Sequence, residues 1–252
     1  MTKLPIQAQS PANLAADLLI RELGDDLPSY TYVDFCAGGG GPTPAIERVI
    51  NTNLNCHGLD PVDFVLTDLH PNVEAWEKIA KRNDHVTYEA QSVDASKAPS
   101  VLARVGSKKT MRLFNLAFHH FDDPLAKDIL RNTVETSHGL AIFELQDRSV
   151  ASFMTHVLFG ISTIFFAPLF AWKWKSPATL FFSWLVPILP FVLVFDGYIS
   201  SLRTRTPDEF RHLLATCGAD TSGWEIQSGS DLHLWPCGYL NWIICRPRQT
   251  GS

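Results

Sequence analysis

Two rhythms of apolar residues run along the 252-residue chain. Ala12 to Leu23 carries its apolar side chains at helical spacing, as do Thr43 to Asn51, Val73 to Lys81 and Pro124 to Thr136. Short β-rich runs lie between them: Tyr30 to Phe35, Asp63 to Thr67, Val86 to Ala90, Met111 to Ala117 and Gly139 to Glu144. Further on, Thr206 to Thr216 reads as a helix, with Thr206 as N-cap, Pro207 in the first turn and Glu209 placed to complete a capping box. Trp224 to Gln227 and Leu240 to Cys245 close the series as strands. Alternating strands and helices predict an α/β fold: a doubly wound, mostly parallel seven-stranded sheet.

The rhythm breaks after the fifth strand. From Val150 to Trp172, 23 residues pass without Asp, Glu, Lys or Arg. Lys173-Trp174-Lys175 follows, then a second uncharged run from Ser176 to Phe195. A helical span needs ~20 apolar residues, and a soluble core helix rarely runs so far without polar punctuation. These runs predict a hydrophobic helical hairpin at 150–200, set between a first part of the domain (1–149) and its completion (201–252). Trp172 and Trp174 beside two lysines suit a membrane interface, and Trp184 lies in the second run. Pro168, Pro187 and Pro190 would kink the limbs. A double crossing, a re-entrant loop and a soluble lid therefore all stay open. Without the insert about 200 residues remain, enough for a complete nucleotide-binding domain.

Charge and cysteines narrow the partners. With 21 Lys+Arg against 26 Asp+Glu the formal charge is −5, and no basic stripe is present, so nucleic acid is not the expected partner. Cys36, Cys56, Cys217, Cys237 and Cys245 are odd in number and form no CxxC, which argues against a disulfide framework or a zinc site and for a reducing compartment. Met1 to Leu23 has no long apolar core and does not read as a secretory signal.

Chemistry concentrates where strands end. The first strand runs into Val33-Asp34-Phe35-Cys36-Ala37-Gly38-Gly39-Gly40-Gly41-Pro42, a turn whose glycines let backbone approach a ligand. No Gly-Lys-Ser/Thr follows, so it is not a P-loop, and Cys36 stands where a GxGxxG turn would begin. An acidic residue, one residue, a small residue, one residue and Gly-x-Gly is the pattern of motif I in class I S-adenosylmethionine-dependent methyltransferases, and the chain resembles that family. The resemblance continues in register over about residues 10–148 and 202–246. The family holds the ribose hydroxyls with an acidic residue ending its second strand; here Phe64-Val65-Leu66-Thr67-Asp68-Leu69 ends on Asp68, and Leu69 would pack on the adenine. Ser92-Val93-Asp94-Ala95 fits the acidic position after the third strand, near the adenine amino group. Asn115-Leu116-Ala117-Phe118-His119-His120 looks like the segment lining the methionine end. The resemblance thus implies S-adenosyl-L-methionine as cofactor, with Asp34, Cys36, Ala37, Gly38, Gly40, Asp68, Leu69, Asp94, Ala95, Asn115 and Leu116 around it. On local grounds Asp68 could instead cap the next helix, Asp94 could be a turn residue, and Asp34 could orient the loop without direct contact.

His119 and His120 are the candidate catalytic bases, since imidazole titrates near neutrality; they could equally be walls of the pocket. Glu144 is a further candidate on the substrate side, and Asp147 and Arg148 could anchor the insert. His57, His70, His85 and His212 have no evident partner. Arg203 and Arg205 would leave the insert where lipid phosphates or acidic residues of the domain could pair with them. No metal is required. The expected function is methyl transfer to an apolar or lipid-like small molecule at an intracellular membrane, with the catalytic domain on the cytoplasmic side. A rearrangement on the same fold and a catalytically silent membrane-bound scaffold are the alternatives.

Overall fold

A computed structural model of the chain describes residues 8–99, 102 and 108–248. Seven strands form one sheet: β1 (Tyr30–Phe35), β2 (Phe64–Thr67), β3 (Val86–Tyr88), β4 (Lys109–Asn115), β5 (Leu140–Glu144), β6 (Trp224–Leu234) and β7 (Gly238–Pro247), in the order β3-β2-β1-β4-β5-β7-β6. The first five pair in parallel, while β7 runs antiparallel to both β5 and β6. The sheet is therefore mixed, and its last two strands are longer than their apolar runs predicted. Beyond Gln227 the polar stretch Ser228-Gly229-Ser230-Asp231 still pairs with β7, because the hairpin register rather than burial carries the strand on.

Strand alternation divides the core. Tyr30, Tyr32, Leu113 and Phe143 point to one face with residues of α1 (Pro11–Leu23), α2 (Thr43–Cys56) and α3 (Val73–Ala80). Val33, Phe35, Phe114 and Ile142 point to the other, with α4 (Asp123–Thr136) and α8 (Pro207–Ala215). Helix α2 outruns its predicted end at Asn51 because Leu54 is still in the core. The predicted capping box of Thr206 and Glu209 is formed.

Between β5 and α8 lie α5 (Val150–Trp174), α6 (Pro177–Leu180), one π-helical stretch (Phe181–Leu185) and α7 (Ile188–Arg203). Helix α5 has 25 residues and a mean hydropathy of 1.7 in its most apolar window, long and apolar enough to cross a membrane. The second limb reaches that length only if Pro177–Leu185 and Ile188–Arg203, bent by 69° at their break, count together. The limbs run antiparallel and meet through glycine: a Cβ on Gly160 would lie 2.5 Å from Val194 Cγ2, and one on Gly197 2.4 Å from His156 Nδ1. Ser201 Oγ joins Ser152 Oγ at 3.2 Å and His156 Nε2 at 3.0 Å near the base. Pro168 lacks an N–H, which leaves the Ile164 carbonyl without its helical donor; the Trp184 indole donates to that carbonyl at 2.8 Å. The buried residues of α5 are all small (Ser152, Thr155, Gly160, Ala167 and Ala171), whereas Phe165 is 78% and Trp172 80% exposed.

Candidate functional site

The glycine turn leaves β1 between the ends of β2 and β4. Ala37 N–H donates to the Thr67 carbonyl (3.0 Å) and Gly38 N–H to Asp68 Oδ2 (2.9 Å), tying the turn to the end of β2. From α3, the buried Trp76 indole donates to the Gly38 carbonyl (2.9 Å). Asp68 Oδ1 accepts from His70 N–H (2.8 Å), so each carboxylate oxygen spends one lone pair on backbone and keeps another. Gly40, at φ +98°, is a packing glycine, since a Cβ there would meet Ile79 Cδ1 at 2.2 Å. Gly38, at φ +52°, and Gly39 face open space, with no heavy atom within 4 Å of an added Cβ. That space is a cradle into which backbone is presented without side chains.

Cys36 (φ 61°) and Leu116 (φ 56°) take the left-handed conformation at the ends of neighbouring strands β1 and β4. Each costs ~1–2 kcal/mol for a non-glycine residue, and such outliers gather at functional sites. Burial, with the nearby carboxylates of Asp68, Asp34 and Asp94, pushes the Cys36 thiol up to about 12, so it is no nucleophile at neutral pH.

Asp34 is buried on the α1–α3 face. It accepts from the Thr43 hydroxyl at the start of α2 and from Asn115 Nδ2 (3.0 Å), and Asn115 Nδ2 also reaches Thr43 Oγ1 (3.3 Å). Burial raises its carboxyl to about 7, against these hydrogen bonds and with help from the Asp68 charge. Asp34 thus clamps β1, β4 and α2 beneath the turn. Asn115 Oδ1 is buried with no hydrogen-bond partner, an acceptor awaiting a donor. The Asn115 residue lines a cavity of about 580 Å³ with Leu116, Gly41, Pro42 and the start of α1, including Ser10 and Asn13.

The adenine-side residues divide. Leu69, at 50% exposure, offers an apolar surface at the end of β2. Asp94 makes a tight turn with Ser96, accepting its N–H (2.8 Å) and hydroxyl (2.7 Å); the hydroxyl bond chiefly holds its carboxyl below the usual range. Ala95 packs in the core of the opposite face, and its carbonyl accepts from the buried Arg112 (3.1 Å). Its side chain therefore has no part in the cradle.

The two histidines are not equivalent. His119 is buried, its backbone N–H donates to Glu144 Oε1 (3.2 Å), and Nδ1–H donates to Glu144 Oε2 (2.9 Å). The Gln146 amide nitrogen lies 3.1 Å from the same Nδ1 and gives its proton to the carboxylate instead (3.3 Å). With Nδ1 so occupied, Nε2 is the free basic nitrogen. His120 is exposed; burial of part of its ring lowers its pKa, and its carbonyl accepts from Arg203 (2.8 Å). Arg205 pairs with Asp123 (2.8 Å), inside the domain. His119 and Glu144 line a separate cavity of about 510 Å³. By strand alternation it belongs to the α4–α8 face, opposite Asp34 and Asn115.

Thr43, Trp76 and Gln146 were not singled out from sequence. Gln146 had a signal: two residues beyond Glu144, it continues the same face of the strand. Among the described residues no cluster of side chains could hold a metal ion.

No family model matches the chain, and no curated protein matches it in sequence. Solved structures share its fold. The DszA carbon methyltransferase superimposes over 96% of this chain and 54% of its own at 13% identity and a TM-score of 0.54. The CurJ carbon methyltransferase does so over 94% and 54% at 11% identity and 0.52. The S-adenosylmethionine-dependent methyltransferase SibL, in its apo form, covers 94% and 56% at 12% identity and 0.51. The chain spans about half the length of each.

Proposed function

We propose that the chain is an S-adenosylmethionine-dependent methyltransferase acting on an apolar or lipid-like small molecule at a membrane. One observation carries the reading. The open glycine turn, the Asp68 carboxylate and the unpartnered Asn115 Oδ1 converge at the ends of three adjacent strands, where open α/β sheets bind ligands. This set fits the cofactor: the remaining Asp68 lone pairs suit ribose hydroxyls, Leu69 suits the adenine, and Asn115 Oδ1 suits an ammonium or amide donor. When bound, the cofactor would supply an activated methyl group on a sulfonium. The chain would supply position and a base: His119, oriented by Glu144, to take the acceptor's proton at Nε2.

The membrane part of the reading rests on α5, with small residues inside and large apolar ones outside. That is how helices pack when the surrounding solvent is lipid. Lys173, Lys175, Trp172 and Trp174 at the tip would lie at a headgroup layer, and the α/β domain would stay on the cytoplasmic side of an intracellular membrane.

Titration calorimetry with S-adenosylmethionine tests the site. The chain should bind it, and Asp68→Ala should weaken binding by about 1.5–3 kcal/mol, as for a lost hydrogen bond to a charged group. Equal affinity in both proteins would remove the assignment. Incubation with methyl-labelled cofactor and a lipid extract then separates methyl transfer from rearrangement and from a silent scaffold, because only the first labels the organic phase.

A further inference from the structure

The cavity that holds His119 and Glu144 lies against the roots of the apolar limbs. Asp147, Arg148 and Ser149 on its wall lead into α5, and Thr204, Arg205 and Thr206 follow α7. Its wall also carries a carboxylate. Glu144 is only 4% exposed, and its partners among the described residues are His119 and Gln146, with no lysine or arginine paired to it. The two arginines of the wall are engaged elsewhere: Arg148 with Glu209 (2.7 Å) and the Leu202 carbonyl (3.0 Å), Arg205 with Asp123 (2.8 Å) and the Phe121 carbonyl (2.8 Å). No cation of the wall is left to meet a ligand; Glu144 and His119 Nε2 offer acceptors, with the neutral hydroxyls of Ser228 and Ser230, beside the apolar surfaces of Phe118, Ile142 and Phe210.

We propose that this cavity binds the polar end of an amphiphile whose head donates a hydrogen bond, a hydroxyl or an amine, with the apolar tail leaving past the limb roots over the exposed apolar side chains of α5 and α7. A buried carboxylate favours such a donor and rejects an anionic head, whose charge would face Glu144 in a site of low dielectric. The inference deepens the methyl-transfer reading and rests on it for the acceptor's fate. The short segment from Leu116 to His119 runs from the wall of one cavity to the wall of the other across the sheet's carboxyl edge. The head's O–H or N–H would yield its proton to His119 Nε2 as its lone pair forms the bond to the sulfonium methyl. The electron pair of the broken S–C bond stays on sulfur, leaving a thioether. The imidazolium is balanced by Glu144 until its proton passes to water.

The test uses the full chain in lipid nanodiscs with three photoreactive probes of equal chain length: an alcohol, an amine and a carboxylate, each with a diazirine beside the head. The alcohol and amine should label peptides containing Phe118–Phe121, Asp147–Ser149 or Ser228–Ser230, and the carboxylate should label them about tenfold less. Ser228→Trp, which fills the cavity, and Glu144→Gln should each cut that labelling by about tenfold. Unchanged calorimetric affinity for S-adenosylmethionine certifies that a variant is folded, and Ser228→Trp suffices if Glu144→Gln is not. Labelling confined to 158–195, equal labelling by the carboxylate, or indifference to Ser228→Trp would overturn the site. A chain that binds the cofactor without such labelling loses this inference and keeps the methyltransferase reading. A chain labelled as expected that binds no cofactor keeps the site and loses that reading.

Discussion

The α/β domain and the limbs α5–α7 treat the same side chains in opposite ways. In the domain Leu18, Ile50, Phe64 and Trp76 are enclosed, and the few buried charged residues, such as Asp34 and Arg112, are hydrogen-bonded. In the limbs glycine, alanine, serine and threonine face inward, while Phe165, Phe191 and Trp172 face outward. Two tryptophan-to-carbonyl hydrogen bonds show the contrast at one bond each. Trp76 pins the glycine turn at 2.9 Å from within a dry core, and Trp184 covers the carbonyl freed by Pro168 at 2.8 Å on an exposed helix. Water could serve the second carbonyl, but lipid could not. The comparison teaches that the two regions follow opposite packing rules, as the proposed membrane role of the limbs would require.

The sharpest way to break that comparison is to remove one side of it. Replacing 149–203 by a Gly-Ser linker should convert a protein that sediments with membranes after an alkaline wash into one that stays in the supernatant and still binds cofactor. A full-length chain that is monomeric in buffer without detergent would make the limbs a folded lid. Next in size, His119→Ala should lower turnover by ~10²–10⁴, with cofactor affinity kept; a loss under about tenfold would make the ring a wall of its cavity. The buried Asp34 gives a smaller effect with a definite sign. Its carboxyl is raised to about 7 in the fold against ~3.9 when unfolded, so its contribution is complete below about pH 4 and is lost as pH rises to about 7. The melting temperature of wild type relative to Asp34→Asn should therefore fall between pH 4.5 and 7.5, and a flat difference would mean that Asp34 stays ionised. Smallest, Trp184→Phe should cost about 0.6–2 kcal/mol of stability in bicelles and leave cofactor affinity unchanged. Trp76→Phe should instead weaken the cofactor, because it frees the glycine turn.

The parts legible in the sequence were those written locally. The strand leading into Gly38–Gly41, the acidic residue ending β2 and the uncharged runs after Val150 each lie within one short segment, and the structure places them at strand ends or in the limbs. What depends on pairing was not legible. Asn115 stands opposite Phe143 in the β4–β5 register, and only that pairing brings His119 against Glu144, 25 residues on. The same pairing puts His119 on the face opposite Asn115, where sequence reasoning had grouped them together. Ala95 illustrates the reverse: its position in the chain was suggestive, but the fold packs its side chain in the core of the opposite face. Both β6 and β7 were legible as strands, but the outer half of β6 was not, because Ser228 to Asp231 carries no apolar alternation.

The strand order also sets a timetable. The outer edge of β5 is covered by β7, the last strand of this sheet in sequence, and the end of β5 at Glu144 precedes the end of β7 at Pro247 by 103 residues (247 − 144). At ~5–20 residues per second that is about 5–20 s during which the nascent half-sheet has an unpaired edge. Both apolar limbs emerge within the same interval. Where they are taken up by a bilayer, insertion is complete before the domain can close, and the half-finished sheet waits tethered at a surface, away from other nascent chains with which its edge could pair.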